Sequence, residues 1–183
     1  ARFRLGRQAR RYLLARYLNQ EAEHLRFTVN AFGKPTLIDN DGLSFNVAHA
    51  GDYVVLAITR NGAVGVDVEP LRPIPDRDGM GALVFSEAER GRVQAATDPD
   101  RAFLDHWTAK EALIKGIGQG MSYPVASVTA HFNTSPAFTR PGHDLSAWQL
   151  AHGEHDGHLW ALAWEGGPRT IEVFTPQSIA DLP

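Results

Sequence analysis

The chain has no cysteine among its 183 residues, which excludes a disulfide framework and any thiolate metal site. No apolar run approaches the roughly 18 residues of a membrane span, and no charged-then-apolar leader precedes the first element. Charge of one sign is also scarce. The chain carries 18 Lys and Arg against 21 Asp and Glu, a net of −3 at pH 7, so nonspecific nucleic-acid binding is disfavoured and any anion site must come from a local cluster of basic side chains. What is present is 43% hydrophobic content, enough at this length to bury roughly 70% of the unfolded surface in one sizeable domain or two small fused ones. The expectation is a soluble, cytoplasmic, globular protein with neither membrane nor nucleic acid among its partners.

The stretch richest in chemistry is Trp-Thr-Ala-Lys-Glu-Ala-Leu-Ile-Lys-Gly-Ile-Gly-Gln-Gly at 107–120. At 3.6 residues per turn, Trp107, Glu111 and Lys115 share one helix face, while Leu113, Ile114 and Ile117 fill much of the opposite side as core. A Glu four residues ahead of a Lys is by itself an ordinary surface pair contributing about 0.2 to 0.5 kcal/mol. A second acidic cluster changes the balance. In Gly-Val-Asp-Val-Glu at 65–69, alternation puts Asp67 and Glu69 on one strand face and Val66 and Val68 on the other. Residues two apart on a strand are about 7 Å apart, so both carboxylates can converge on one hard cation, with Glu111 as a third oxygen donor. Three acids with Lys110 and Lys115 suggest Mg²⁺ bound to phosphate.

The rest of the chain supplies the frame. It opens without a methionine, close to a helix through Tyr12, Leu13, Ala15, Arg16, Tyr17 and Leu18, as a start inside a domain would. Arg4, Arg7, Arg10 and Arg11 surround this helix entrance and read as a solvated basic face. After a loop over 27–32, Gly33-Lys34-Pro35 is a breaker whose proline pushes Lys34 into an extended conformation, a rigid turn able to hold the lysine outward. The run at 43–49 alternates like a strand and ends at His49, in a position where a lone histidine is most often structural. Strand-like runs at 53–59 and 64–69, joined through Asn61-Gly62, read as a hairpin. Pro70, Pro73 and Pro75 then form a linker that divides the chain into halves 1–69 and 70–183.

In the second half, Ser86 and Glu89 have capping-box spacing, and Asp98-Pro99 is an N-cap for the helix that carries Trp107, with Gly116, Gly118 and Gly120 as its stop. Further strand-like runs follow at 127–132, 145–151, 158–164 and 170–174. The last two mirror the 54–58 and 64–70 pair as a weak internal duplication. His152, His155 and His158 at intervals of three invite a zinc reading, which is outweighed by that of a polar, solvated turn.

Four motifs fall in one order: Gly-Lys-Pro at 33–35, Phe-Asn-Val-Ala-His at 45–49, Gly-Val-Asp-Val-Glu at 65–69, and Trp-Thr-Ala-Lys-Glu-Ala-Leu-Ile-Lys at 107–115. Together they resemble the 4′-phosphopantetheinyl transferases of the surfactin-synthetase-activating (Sfp) type. The resemblance implies an α+β fold, a monomeric pseudo-dimer of two similar α/β subdomains with coenzyme A in the cleft between them. It implies that Asp67, Glu69 and Glu111 hold Mg²⁺, with Mn²⁺ as a substitute, on the coenzyme A pyrophosphate. It further implies that His49, Lys34 and Pro35 hold the adenosine 3′-phosphate and adenine end, and that Arg11 and Tyr12 line the same nucleotide site together with Ala48. Lys110 and Lys115 would serve the phosphates. Two departures stand out: Ala48 replaces the usual serine before the histidine, and the family has some tens of residues ahead of Arg2.

The reaction so implied is attack of a serine hydroxyl of an acyl or peptidyl carrier protein on the β-phosphorus of coenzyme A, releasing adenosine 3′,5′-bisphosphate. Such chemistry is mostly positioning and charge neutralisation, here with Lys115 offsetting charge and Glu111 as general base, acting directly or through a metal-bound water. Two other readings stay open: a noncatalytic nucleotide- or carrier-binding module of the same fold, and a Mg²⁺-dependent phosphohydrolase that needs no protein acceptor.

Overall fold

The computed structural model describes residues 2–39, 42–133 and 136–175, with side chains from residue 8 onward; the side chains of Arg4 and Arg7 lie outside the described set. The first helix, α1 (Arg2–Leu18), is followed by β1 (Phe27–Val29), β2 (Pro35–Leu37), β3 (Leu43–Ala50) and β4 (Tyr53–Arg60). Leu14 and Ala15 of α1 close a core with Leu25, Leu37, Leu43 and Phe45. β1 pairs antiparallel with β2, and β3 with β4 along its whole length from Leu43↔Arg60 to Ala50↔Tyr53.

The second half contributes α2 (Arg77–Val84), α3 (Glu87–Ala95), α4 (Pro99–Ile117), β6 (Thr129–His131), β7 (Ala137–Thr139), β8 (Trp148–His155) and β9 (His158–Glu165). Between the halves runs β5 (Val64–Pro70), which is an edge strand of a five-stranded sheet in the order β5-β9-β8-β7-β6. Each half is thus a helix laid on antiparallel strands, and the fold class is α+β. α4 covers the larger sheet with Ala109, Ala112, Leu113 and Ile114 against Val128, Trp148, Leu150 and Ala163. In a third cluster, Ala48, Ala50 and Ala57 of the β3–β4 pair pack on Val64, Val66 and Val68 of β5.

The helix signals hold at the caps. Asp98 accepts from the Arg101 amide with Pro99 in the first turn, Ser86 and Glu89 form a reciprocal capping box, and Gly118 closes α4 in the left-handed region at φ 77°. Gly116, expected among the stops, lies inside α4 instead.

Three strand expectations are corrected. Asn61 does adopt a turn conformation at φ 55°, yet β4 and β5 are not a hairpin: β5 pairs with β9, from Val64↔Trp164 to Pro70↔His158. The reason lies beside the turn. A Cβ at Gly62 would come within 2.5 Å of the Glu165 carbonyl oxygen, and the Glu165 amide donates to the Ala63 carbonyl at 2.9 Å, so at Asn61-Gly62 the chain steps from one sheet to the other. The run at 170–174 forms no strand, because β9 already lies between β5 and β8 and offers no edge. Within the expected loop over 27–32, the first residues form β1. Among the described residues, no helix is long and apolar enough to cross a membrane.

Candidate active site

Two elements build the site, β5 and α4, and they touch at unusually short range. A Cβ added to Gly65 would lie 2.0 Å from the Ala112 carbonyl oxygen and 2.2 Å from the Gly116 amide nitrogen, and one on Gly116 would lie 2.6 Å from the Trp148 ring. Only glycine permits this approach of helix to strand. With Gly65 turned to α4, the strand's alternation turns Asp67 and Glu69 to it as well, while Val64, Val66 and Val68 enter the core between the halves.

Asp67 is buried at 5% exposure. Its Oδ1 receives the Lys115 ammonium at 2.5 Å, whereas its Oδ2 is buried with no hydrogen-bond partner. Burial pushes its carboxyl up to about 6, against the pull of Lys115 and with added repulsion from Glu69 and Glu111. Glu111 is half-buried, and its carboxyl too is raised, by burial first and by Glu69, with Lys115 opposing. Glu69 accepts from the Trp107 indole Nε1 at 3.1 Å, and Arg72 stands 3.6 Å from its other oxygen. Asp67, Glu69, Glu111 and Lys115 therefore form one electrostatic group across the strand and the helix. A crowd of carboxylates with one buried oxygen unpartnered is the donor chemistry that suits a hard divalent cation. As the side chains stand, Asp67 is turned to Lys115 and Glu69 to Trp107, and among the described residues no three acidic or histidine side chains converge as a metal group.

Other side chains fall elsewhere. Lys110 does not join this group: it is fully buried on the far side of α4, its ammonium bonded to Glu89 and, at 2.7 Å, to the Val84 carbonyl. Lys34 is not held outward. Its ammonium donates to the carbonyls of Gly116 at 2.7 Å and Val64 at 3.1 Å, and burial pushes it down to about 8. Arg11 is committed to the Ala22 and Leu25 carbonyls, while Tyr12 is exposed and accepts from Arg16 at 3.1 Å. Pro35 begins β2. On β3, Ala48 faces the core and His49 is exposed. His155 and His158 sit at an exposed turn, where Tyr53 donates to Asp156 at 2.9 Å and packs its ring, tilted by 48°, against His158 with centroids 4.3 Å apart.

Sequence reasoning missed the Trp107 bond, Arg72, and Asn46, whose Oδ1 accepts from the Val66 amide at 2.9 Å and ties β3 to β5. The glycines at 65 and 116 were the available signal for the close approach.

The model of one family, the 4′-phosphopantetheinyl transferase superfamily, matches residues 63–163, the stretch that contains every residue of this group. The chain belongs to that superfamily. Among its relatives, slr0495 of Synechocystis sp. is 33% identical over 89% of this chain and 71% of its own length. The 4′-phosphopantetheinyl transferase HetI of Nostoc sp. is 32% identical over 81% of this chain and 64% of its own. As these shares show, the chain spans only part of the superfamily members it matches. Among solved structures, the holo-[acyl-carrier-protein] synthase of Neisseria meningitidis aligns with a TM-score of 0.50 at 16% identity, over 57% of this chain and 98% of that one; at that identity it bears on the fold alone.

Proposed function

We propose that this transferase-family protein moves the 4′-phosphopantetheine group of coenzyme A onto a serine of an acyl or peptidyl carrier protein, as an enzyme of the Sfp type. The observation that carries the reading is the group of Asp67, Glu69, Glu111 and Lys115 on abutting β5 and α4, with a buried carboxylate oxygen left unpartnered. The serine oxygen bonds to the β-phosphorus as the bond to the bridging pyrophosphate oxygen breaks, and adenosine 3′,5′-bisphosphate leaves with the electron pair. The serine proton goes to Glu111, directly or through a water; in the metal-free chain burial raises this half-buried carboxyl. Asp67, Glu69 and Glu111 would hold Mg²⁺, which supplies charge neutralisation on the pyrophosphate when bound. Lys115 adds a fixed positive charge at the same place.

At the nucleotide end, the exposed His49 is the candidate contact for the 3′-phosphate. Arg11 and Ala48 contribute to that end only through the packing that holds it, since one is bonded to carbonyls and the other is core. Incubation with coenzyme A, Mg²⁺ and purified carrier proteins tests the reading: a carrier should gain one phosphopantetheinyl group on its serine. Turnover of coenzyme A without any carrier, or none with a full panel of carriers, would sink it.

A further inference from the structure

The loop between β1 and β2 does more than turn the chain. Asn30 closes it, accepting from the Phe32 and Lys34 amides at 2.9 Å each, with Gly33 at φ 84°. Both long polar side chains of the loop then leave their own half. Asn30 Nδ2 donates to the Gly118 carbonyl at 2.7 Å, and the Lys34 ammonium donates to the Gly116 and Val64 carbonyls. The Gly116 and Gly118 carbonyls belong to the last turn of α4, where backbone acceptors have no helical partner and the helix dipole favours a cation. The fit is tight: a Cβ on Gly118 would meet Lys34 Cδ at 2.9 Å and Asn30 Nδ2 at 3.0 Å. One ammonium thus bridges the first residue of β5 and the residue next to Lys115.

We propose that Lys34, with Asn30, is a positioning residue that clasps the C-terminal turn of α4 onto the start of β5, and that it does not read the 3′-phosphate of coenzyme A. The register supports the second clause. Asn46 sits opposite Val66, and the Tyr53 ring packs against His158, the partner of Pro70, so β3 runs beside β5 in the same direction and His49 is level with Glu69. Lys34 reaches β5 at Val64, roughly 16 Å back along the strand at about 3.3 Å per residue. A single phosphate does not span that separation. The clasp instead holds together the two elements that carry Asp67, Glu69, Glu111 and Lys115, and burial of its cation is offset by the carbonyl bonds it makes.

The activity arm of the test rests on the function proposed above; the exchange arm does not. Lys34→Met removes the ammonium and keeps the stem, and Asn30→Asp keeps the loop's acceptor while removing the donor to Gly118. In hydrogen exchange, amides 115–118 should lose protection by about tenfold or more in Lys34→Met, while β8 and β9 are unchanged. In steady-state kinetics with a carrier protein, kcat should fall about tenfold with coenzyme A and with dephospho-coenzyme A alike, with the ratio of their KM values unchanged. Asn30→Asp should move both readouts in the same direction, and it carries the test if Lys34→Met does not fold. Unchanged protection at 115–118, or a KM penalty confined to coenzyme A, overturns the clasp. If wild type turns over neither donor, the proposed reaction has failed, and exchange alone decides the clasp.

Discussion

Helix α4 carries two lysine–carboxylate pairs one turn and a half apart, and they have opposite characters. Lys110 and Glu89 are both fully buried. Glu89 is saturated: it accepts from the Ser86 amide at 2.9 Å, the Ser86 hydroxyl at 3.1 Å, the Ala130 amide at 2.8 Å and the Lys110 ammonium. Burial alone would raise its carboxyl, but His106, Lys110 and the Ala130 amide outweigh burial and hold it below the usual range. Lys115 and Asp67 are paired just as directly, yet Lys115 keeps 30% of its side chain exposed. Asp67 has an oxygen without a partner, two acidic neighbours, and a carboxyl raised to about 6. The difference teaches what separates a structural ion pair from a reactive one. A charge whose every lone pair is satisfied is fixed in place, whereas one left short of partners is poised to accept a cation or a proton.

Breaking the first pair should have the largest effect. Lys110→Met strands Glu89 as an uncompensated buried charge and should destabilise the fold by about 3 to 5 kcal/mol, readable as a lowered urea midpoint. Lys115→Met should leave the midpoint near wild type, because Asp67 can take a proton. Adding Glu89→Gln to Lys110→Met should restore part of the loss; a double variant no more stable than the single would show that the pair acts through packing instead of charge.

The next effect sharpens the contrast through pH. The Asp67 carboxyl titrates near 6 in the folded chain and near 3.8 unfolded, so between those values the native state holds a proton that the unfolded chain has released. Stability therefore falls as pH rises from about 4 to about 6, and above that the full penalty, on the order of 3 kcal/mol, is present. In metal-free protein, Asp67→Asn should be more stable than wild type at pH 8 by about that amount, and equal to it below pH 4. Parallel stability curves for the two proteins across pH 3 to 8 would remove this role from Asp67.

Smaller still, Glu111→Gln should cut transfer to the carrier by about a hundredfold, near 2.7 kcal/mol of barrier, with the melting temperature little changed. Transfer at the wild-type rate would take Glu111 out of the mechanism. His49→Ala should raise KM for coenzyme A about tenfold and leave dephospho-coenzyme A nearly unaffected, if a charge-assisted contact to the 3′-phosphate is lost. Equal penalties on both donors would return His49 to a structural role.

Much of this was legible before any coordinates. The caps at Ser86, Asp98 and Gly118 were readable because capping depends on residues a few positions apart. The facing of Asp67 and Glu69 followed from period-2 alternation, and that of Trp107, Glu111 and Lys115 from the helical period. The errors arose where partners are distant in sequence. Asn61-Gly62 has a hairpin's local chemistry, but the edge that β5 pairs with belongs to β9. Lys110 read as a phosphate-facing cation, and nothing within a few residues of it shows the Glu89 that holds it; no short window shows the Gly116 carbonyl that Lys34 reaches either.

By itself, the sequence determined which residues could do phosphate and metal chemistry, the local elements they ride on, and the face each presents, since those depend on backbone periodicity and side-chain type. Tertiary structure alone decided which of the two α4 lysines became structural and which stayed at the acidic group. It also decided that Gly65 and Gly116 bring helix and strand into contact and that the loop at 30–34 grips the far end of α4. The physical reason is the same in each case: hydrogen-bond saturation and close packing are properties of groups brought together from distant parts of the chain, and no short window of the chain contains both partners.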